Sequence, residues 1–154
     1  MEIEKILSSV KFDPDFDPSY SFELKRISFF DHYLSIDEAN ACNFIFFKLA
    51  EETGELSQYL AAENRLLSLW AQFAVSGRNF ALNERVLEIE SLHDVLELGA
   101  AVIREIRGYP VFFAGPKVIW EPASDLTHLL WVPKDQGWRQ VERMVLASGV
   151  NFLE

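Results

Sequence analysis

The sequence predicts an α+β fold. A helical N-terminal half packs on a small, mostly antiparallel sheet in the C-terminal third, and a C-terminal helix closes it. Three observations carry this. Apolar residues recur at helical spacing from Asp37 to Ala74 and again from Leu92 to Arg107. After Gly108 the pattern changes to short apolar or β-rich runs separated by turn residues. Helices precede strands instead of alternating with them, which argues against a nucleotide-binding βαβ unit, and no glycine-rich phosphate loop follows any predicted strand.

The elements follow in order. Ile3, Ile6, Leu7 and Val10 fall on one side of a short helix over residues 2–10. Asp13 to Pro18 form an acidic, turn-rich loop. Tyr20, Phe22 and Leu24 alternate with polar residues and read as a strand. Ser35 with Glu38 is a capping-box pattern that starts a helix. From there an apolar stripe runs through Cys42, Ile45, Leu49, Glu52, Leu56, Tyr59, Glu63, Leu67, Trp70 and Ala74, all within roughly 60° of one direction. Gly54 is a candidate break in it. Residues 76–79 form a loop. Ser91 and Asp94 open a second helix whose apolar face is Leu92, Val95, Leu96, Gly99, Ile103 and Ile106, with Gly108 as its stop. Gly99 on that face implies a close approach by another element. Residues 109–113, 117–120 and 126–132 read as strands, the first two joined as a hairpin through Ala114-Gly-Pro116. A last helix spans Gln136 to Ser148, with Trp138, Val141 and Val145 on one face.

Composition bounds the function. The 154 residues are most simply one domain, 1–154, and 49% of them are apolar, so a substantial core is attainable. The formal net charge is −10, with −8 over residues 1–63 and −2 over the rest. Clustered Lys and Arg, which phosphate neutralisation needs, are missing, so nucleic acid and anionic membrane surfaces are poor partners. A basic protein partner or a metal suits the sign. Cys42 is the single cysteine, so no disulfide forms within the chain, and its apolar setting reads as an inert thiol. The N-terminal segment lacks the apolar run of a signal peptide and no stretch of 18 apolar residues exists, which makes the cytoplasm the expected compartment.

Glu52 stands out, because a carboxylate on an apolar stripe requires a metal, a cation or a raised pKa. Glu55, three residues on, shares its side of a helix, and two such carboxylates can hold Mg²⁺. The string Lys48-Leu-Ala-Glu-Glu-Thr-Gly-Glu-Leu56 resembles the metal-binding helix of the all-α, MazG-like nucleotide pyrophosphohydrolases. The resemblance implies a Mg²⁺-dependent phosphohydrolase, with Glu52 and Glu55 as one ligand pair and Asp94 closing a second. Ser91 stands three before Asp94, and Glu90 four before it. The plainer reading is that Gly54 ends a helix, Glu52 lies in solvent in its last turn, and Ser91 and Asp94 are only a cap. A buried ion pair from Glu52 to Arg or Lys is the third.

Other constellations carry less. Asp13, Asp15 and Asp17 imitate the start of a calcium loop, but Pro18 and Leu24 stand where that loop needs Gly and Glu. His32, His93 and His128 have no partners at metal-ligand spacing, and His128, within an apolar strand, reads as a satisfied, partly buried histidine. Trp120, Trp131, Trp138, Phe112 and Phe113 suit a core; one or two left exposed beside acidic surface would suit docking. The expectation that follows is a non-enzymatic, intracellular interaction module of inhibitor or immunity type that binds a basic partner. The Mg²⁺-dependent hydrolase is the alternative. The wide helical stripe is compatible with a homo-oligomer under either.

Overall fold

A computed structural model describes residues 22–135 and 137–154. Its frame is a seven-stranded antiparallel sheet with five helices: β1 (Phe22–Ser28), α1 (Ile36–Ala41), α2 (Phe47–Thr53), α3 (Leu56–Val75), β2 (Asn79–Leu82), β3 (Val86–Glu88), α4 (Leu92–Ile103), β4 (Val111–Phe113), β5 (Val118–Glu121), β6 (Thr127–Pro133), α5 (Trp138–Ala147) and β7 (Asn151–Leu153). The spatial strand order is β3-β2-β4-β5-β6-β1-β7.

The mixed α+β composition agrees with expectation; the arrangement does not. The helical N-terminal half with a sheet confined to the C-terminal third is overturned. Strands come from residues 22 to 153, and β1 lies inside the sheet between β6 and β7. The chain's last element is β7 and not a closing helix. Three strands, β2, β3 and β7, correspond to no element that the sequence predicts. The reason is length and burial. β2 is four residues, all buried, so it shows no polar alternation, and β3 is three residues. The predicted helix over 2–10 and the Asp13–Asp17 turn lie outside the described residues.

The Asp37–Ala74 stripe breaks into three helices. Ser35 does cap α1: its Oγ accepts from the Glu38 N–H at 3.1 Å while the Glu38 carboxylate accepts from the Ser35 N–H at 3.3 Å. Cys42 then turns extended and ends α1, which buries no residue. Gly54 adopts a left-handed φ of 77°, which only glycine takes without strain, and α2 ends there. Helical phase is lost at each break. It is sustained only in α3, where Tyr59, Ala62, Glu63, Leu66, Leu69, Trp70, Phe73 and Ala74 are buried.

The main core lies between one face of the sheet and α3, α4 and α5. Alternation along β4 and β5 sends Val111, Phe113, Val118 and Trp120 into it. Phe22, Phe80, Leu82, Phe112 and Ile119 form a smaller buried cluster of their own. Trp70 is the centre of the main core, fully buried, with edge contacts to Phe113 and Trp120 at 4.9 and 5.1 Å between ring centroids. Its Nε1–H donates to the Val95 carbonyl at 2.8 Å. The close approach expected at Gly99 is present: a Cβ there would meet the Trp70 ring at 2.6 Å.

α4 ends earlier than expected. Its stop is at residues 104–106 and not at Gly108. The Glu105 N–H donates to the Val102 carbonyl at 3.1 Å and the Ile106 N–H to Ala101 at 2.8 Å, the paired bonds of a Schellman cap. Glu105 holds the left-handed position, φ 63°, that glycine usually fills. Ile106, assigned to the core-facing stripe, is therefore turned out and 72% exposed.

Candidate functional site

The three acids singled out in the sequence are not gathered. Glu52 is exposed in the last turn of α2, its carboxylate 4.0 Å from Lys48 one helical turn back. Glu55 occupies the half-buried position just before α3. Asp94 sits exposed in the first turn of α4, where its N–H donates to the Ser91 Oγ at 3.3 Å. Among the described residues no group of three or more His, Cys, Asp or Glu is placed to share a metal ion.

The buried carboxylate is Glu63, in α3. It receives both prongs of the Arg104 guanidinium, at 2.7 and 2.9 Å, and is only 4% exposed. Arg104 also lies over the Phe47 ring at 4.3 Å. The same principle that drew attention to Glu52 applies one stretch further along: a carboxylate leaves water only with a cation to meet it. Tyr59, a turn before Glu63, has its phenol pushed well above the ordinary range by burial, helped by the Glu63 charge.

The histidines fall into three settings. His32 is held between the carboxylates of Asp31 (2.6 Å) and Glu38 (2.7 Å), which together raise its pKa, Asp31 foremost. This ties the end of β1 to the cap of α1. His93 pairs with Glu97 along α4 at 3.2 Å. His128 is completely buried on β6 beside Trp120, and its Nδ1 accepts from the Ala123 N–H at 3.2 Å. The ring is thus neutral, with its proton on Nε2, which meets no partner among the described residues.

Burial pushes the His128 pKa down to about 4. The sign is that of a buried base: between about 6.5 and about 4 the unfolded chain takes up a proton that the native chain refuses. Stability from His128 is present above pH 6.5 and is lost as pH falls. At 1.36 kcal/mol per unit this amounts to about 3 kcal/mol. His32, fully exposed and raised, acts in the opposite sense, adding stability at low pH that is lost as pH rises through its own pKa. Urea unfolding between pH 7.5 and 4.5 is expected to show falling stability in wild type and a much flatter profile in His128→Gln. An equal slope in both would assign the effect elsewhere.

The Cys42 thiol is half-buried, and burial raises its pKa, which keeps it protonated and unreactive. Trp120, Phe112 and Phe113 are core residues with no exposure. Trp131 donates its Nε1–H to Glu121 at 2.7 Å, and Trp138 lies half-buried under Lys25. The exposed aromatics come from elsewhere: Tyr33, 49% exposed, and Phe46, 41%.

Those two line a set of neighbouring depressions. A groove of about 820 Å³ runs between β3 and α4. It meets a depression of about 510 Å³ at Ile106, which lines both. That depression meets a third, of about 210 Å³, at Asp125. The carboxylates along the three are Glu88, Glu90, Asp94, Glu97, Glu105 and Asp125. The exposed apolar side chains along them are Leu87, Ile106, Phe46 and Tyr33. Of the cations on the face, Arg104 is neutralised by Glu63, Lys48 faces Glu52, and His32 is clasped by its two acids, while Arg107 also lines the first groove.

Strain marks the middle of this face. Asp125 and Leu126 have φ of 61° and 59°, and the Thr127 N–H donates to the Ser124 carbonyl at 3.1 Å, giving a tight mirror-image turn between β5 and β6. With Glu105 that makes three non-glycine residues in the left-handed region at one place, each costing on the order of 1 kcal/mol. Leu126 offsets its share by burying its side chain in the core. Burial raises the Glu105 pKa, against the opposing pull of the nearby Asp125 backbone.

The fold and face define an α+β protein with an acidic, apolar-studded concavity. Comparison with protein-family models, with curated proteins and with solved structures finds no match.

Proposed function

We propose that this chain is a non-enzymatic binding module whose acidic face docks a basic protein partner, in the manner of an inhibitor or immunity protein neutralising a cationic enzyme. The observation that carries the reading is that three neighbouring depressions share Ile106 and Asp125 as lining residues. It puts six carboxylates and four exposed large apolar side chains on one surface. Apolar anchors supply the short-range attraction, and the surrounding charge selects the sign of the partner and speeds encounter. A net charge of −10 extends that field over the molecule. The strained turns hold the face in a set shape, which lowers the ordering cost of association. A chain with one cysteine and no helix long and apolar enough to cross a membrane, among the described residues, fits action inside the cell.

The test is binding to a panel of basic globular proteins by calorimetry, at low and high salt. Wild type is expected to bind at least one member, weakening about tenfold or more as salt rises. Reversal of the face by Glu90→Lys, Asp94→Lys and Glu105→Lys together should abolish it. Reversal of Asp135 and Glu142, which line none of the three depressions, should not. Equal loss from both sets would remove the face from the explanation.

A further inference from the structure

β3 is the edge of the sheet. It is bonded to β2, in the register Phe80↔Glu88, Ala81↔Leu87 and Leu82↔Val86, and to no strand on its other side among the described residues. An open edge is a template for another strand, and proteins usually blunt it with Lys, Pro or a bulge. Val86-Leu-Glu88 has neither Lys nor Pro, Leu87 is 46% exposed, and the one charge, Glu88, is drawn off into a two-pronged ion pair with Arg78 at 2.7 Å.

The groove of about 820 Å³ borders this strand. Leu87, Ile106 and Tyr109 give it apolar wall, and Glu90, Asp94 and Glu97 give it charge; Arg107 is the one cation lining it. Neither Glu90 nor Asp94 has a cationic partner among the described residues. A second copy of this chain would bring the same acids and a second charge of −10 against them, so self-pairing is opposed. The complement is an extended segment with cations on one side and apolar residues on the other.

We propose that a lysine- or arginine-bearing extended segment of a protein partner adds along β3 as an eighth strand, with its cations over Glu90, Asp94 and Glu97. Main-chain hydrogen bonds to β3 supply affinity, and alternate side chains entering the groove supply selectivity. This rests on the basic-partner reading and adds its mode of docking.

The probe is an eight-residue peptide of alternating Lys and Val, titrated into the isotopically labelled full chain and followed by amide shifts and hydrogen exchange. Val86, Leu87 and Glu88 are expected to shift and to gain exchange protection, and a Glu/Val peptide should leave them unmoved. Two further peptides carry N-methyl groups on the Val amides or on the Lys amides. Only one edge of a strand pairs, so one version is expected to bind normally and the other at least about tenfold more weakly. Asp94→Lys with Glu97→Lys should weaken the parent peptide similarly. Equal binding of both methylated peptides would overturn strand addition while leaving charge-driven docking in place. Protection of β3 without peptide, rising with protein concentration, would overturn it in favour of a second copy. Absence of binding by the alternating peptide, where a basic protein still binds the acidic face, would overturn this mode alone; absence of both would remove the basic-partner reading too.

Discussion

Trp70→Ala is expected to destabilise the protein by about 3–5 kcal/mol, a large part of a typical domain's stability. Trp70 is fully buried and touches Phe113 and Trp120 edge to face, so removing the indole leaves a cavity that rigid ring neighbours cannot fill. It also removes the hydrogen bond from Nε1–H to the Val95 carbonyl, and frees the space that keeps residue 99 a glycine. Chemical denaturation checks it: the midpoint should fall sharply with the slope unchanged. Trp70→Ala combined with Gly99→Ala should recover part of the loss, because the added methyl enters the vacated ring space. A loss below 1 kcal/mol would show that the core repacks.

The second large effect is at Glu63. Glu63→Leu leaves the Arg104 guanidinium partly buried without its carboxylate, and the expected cost is about 3 kcal/mol, at the lower end for such pairs because Arg104 is 31% exposed on its side chain. Glu63→Leu with Arg104→Met should regain most of that, since an apolar pair of similar volume has no charge to desolvate. Thermal unfolding of the two single variants and the double variant closes the cycle. A double variant no better than Glu63→Leu alone would mean that the stacking of Arg104 on Phe47 matters more than the ion pair.

Much of the local structure was legible, and the reasons are specific. The Ser35–Glu38 cap, the helix beginning at Leu92, the turn at 114–116 and the Trp138–Ala147 helix each announce themselves within a few residues. Strand β1 was partly visible, since Phe22 and Leu24 alternate with charged neighbours. Its place between β6 and β7 was not, because pairing with strands so distant in sequence leaves no local trace. Glu63 stood on the apolar stripe beside Glu52, but which carboxylate is buried depends on where helical phase survives. It survives past Gly54 and not before it. The acidic face was legible only as charge. Its shape comes from Glu105, Asp125 and Leu126, non-glycine residues in left-handed backbone, which no composition rule flags.

The position of β1 bears on how the protein is made. Its seven residues emerge from the ribosome well ahead of both neighbouring strands, which are encoded after residue 126. Until β6 and β7 have been synthesised, β1 has two open edges and nothing native to pair with. Helix α3 can form at once; the sheet has to wait. Such long-range closure slows folding and lengthens the time during which an unpaired strand is at risk of aggregation. Nascent chains halted before Thr127 should therefore be the species that chaperones hold longest, and completion of β7 should be the step that makes the protein protease-resistant.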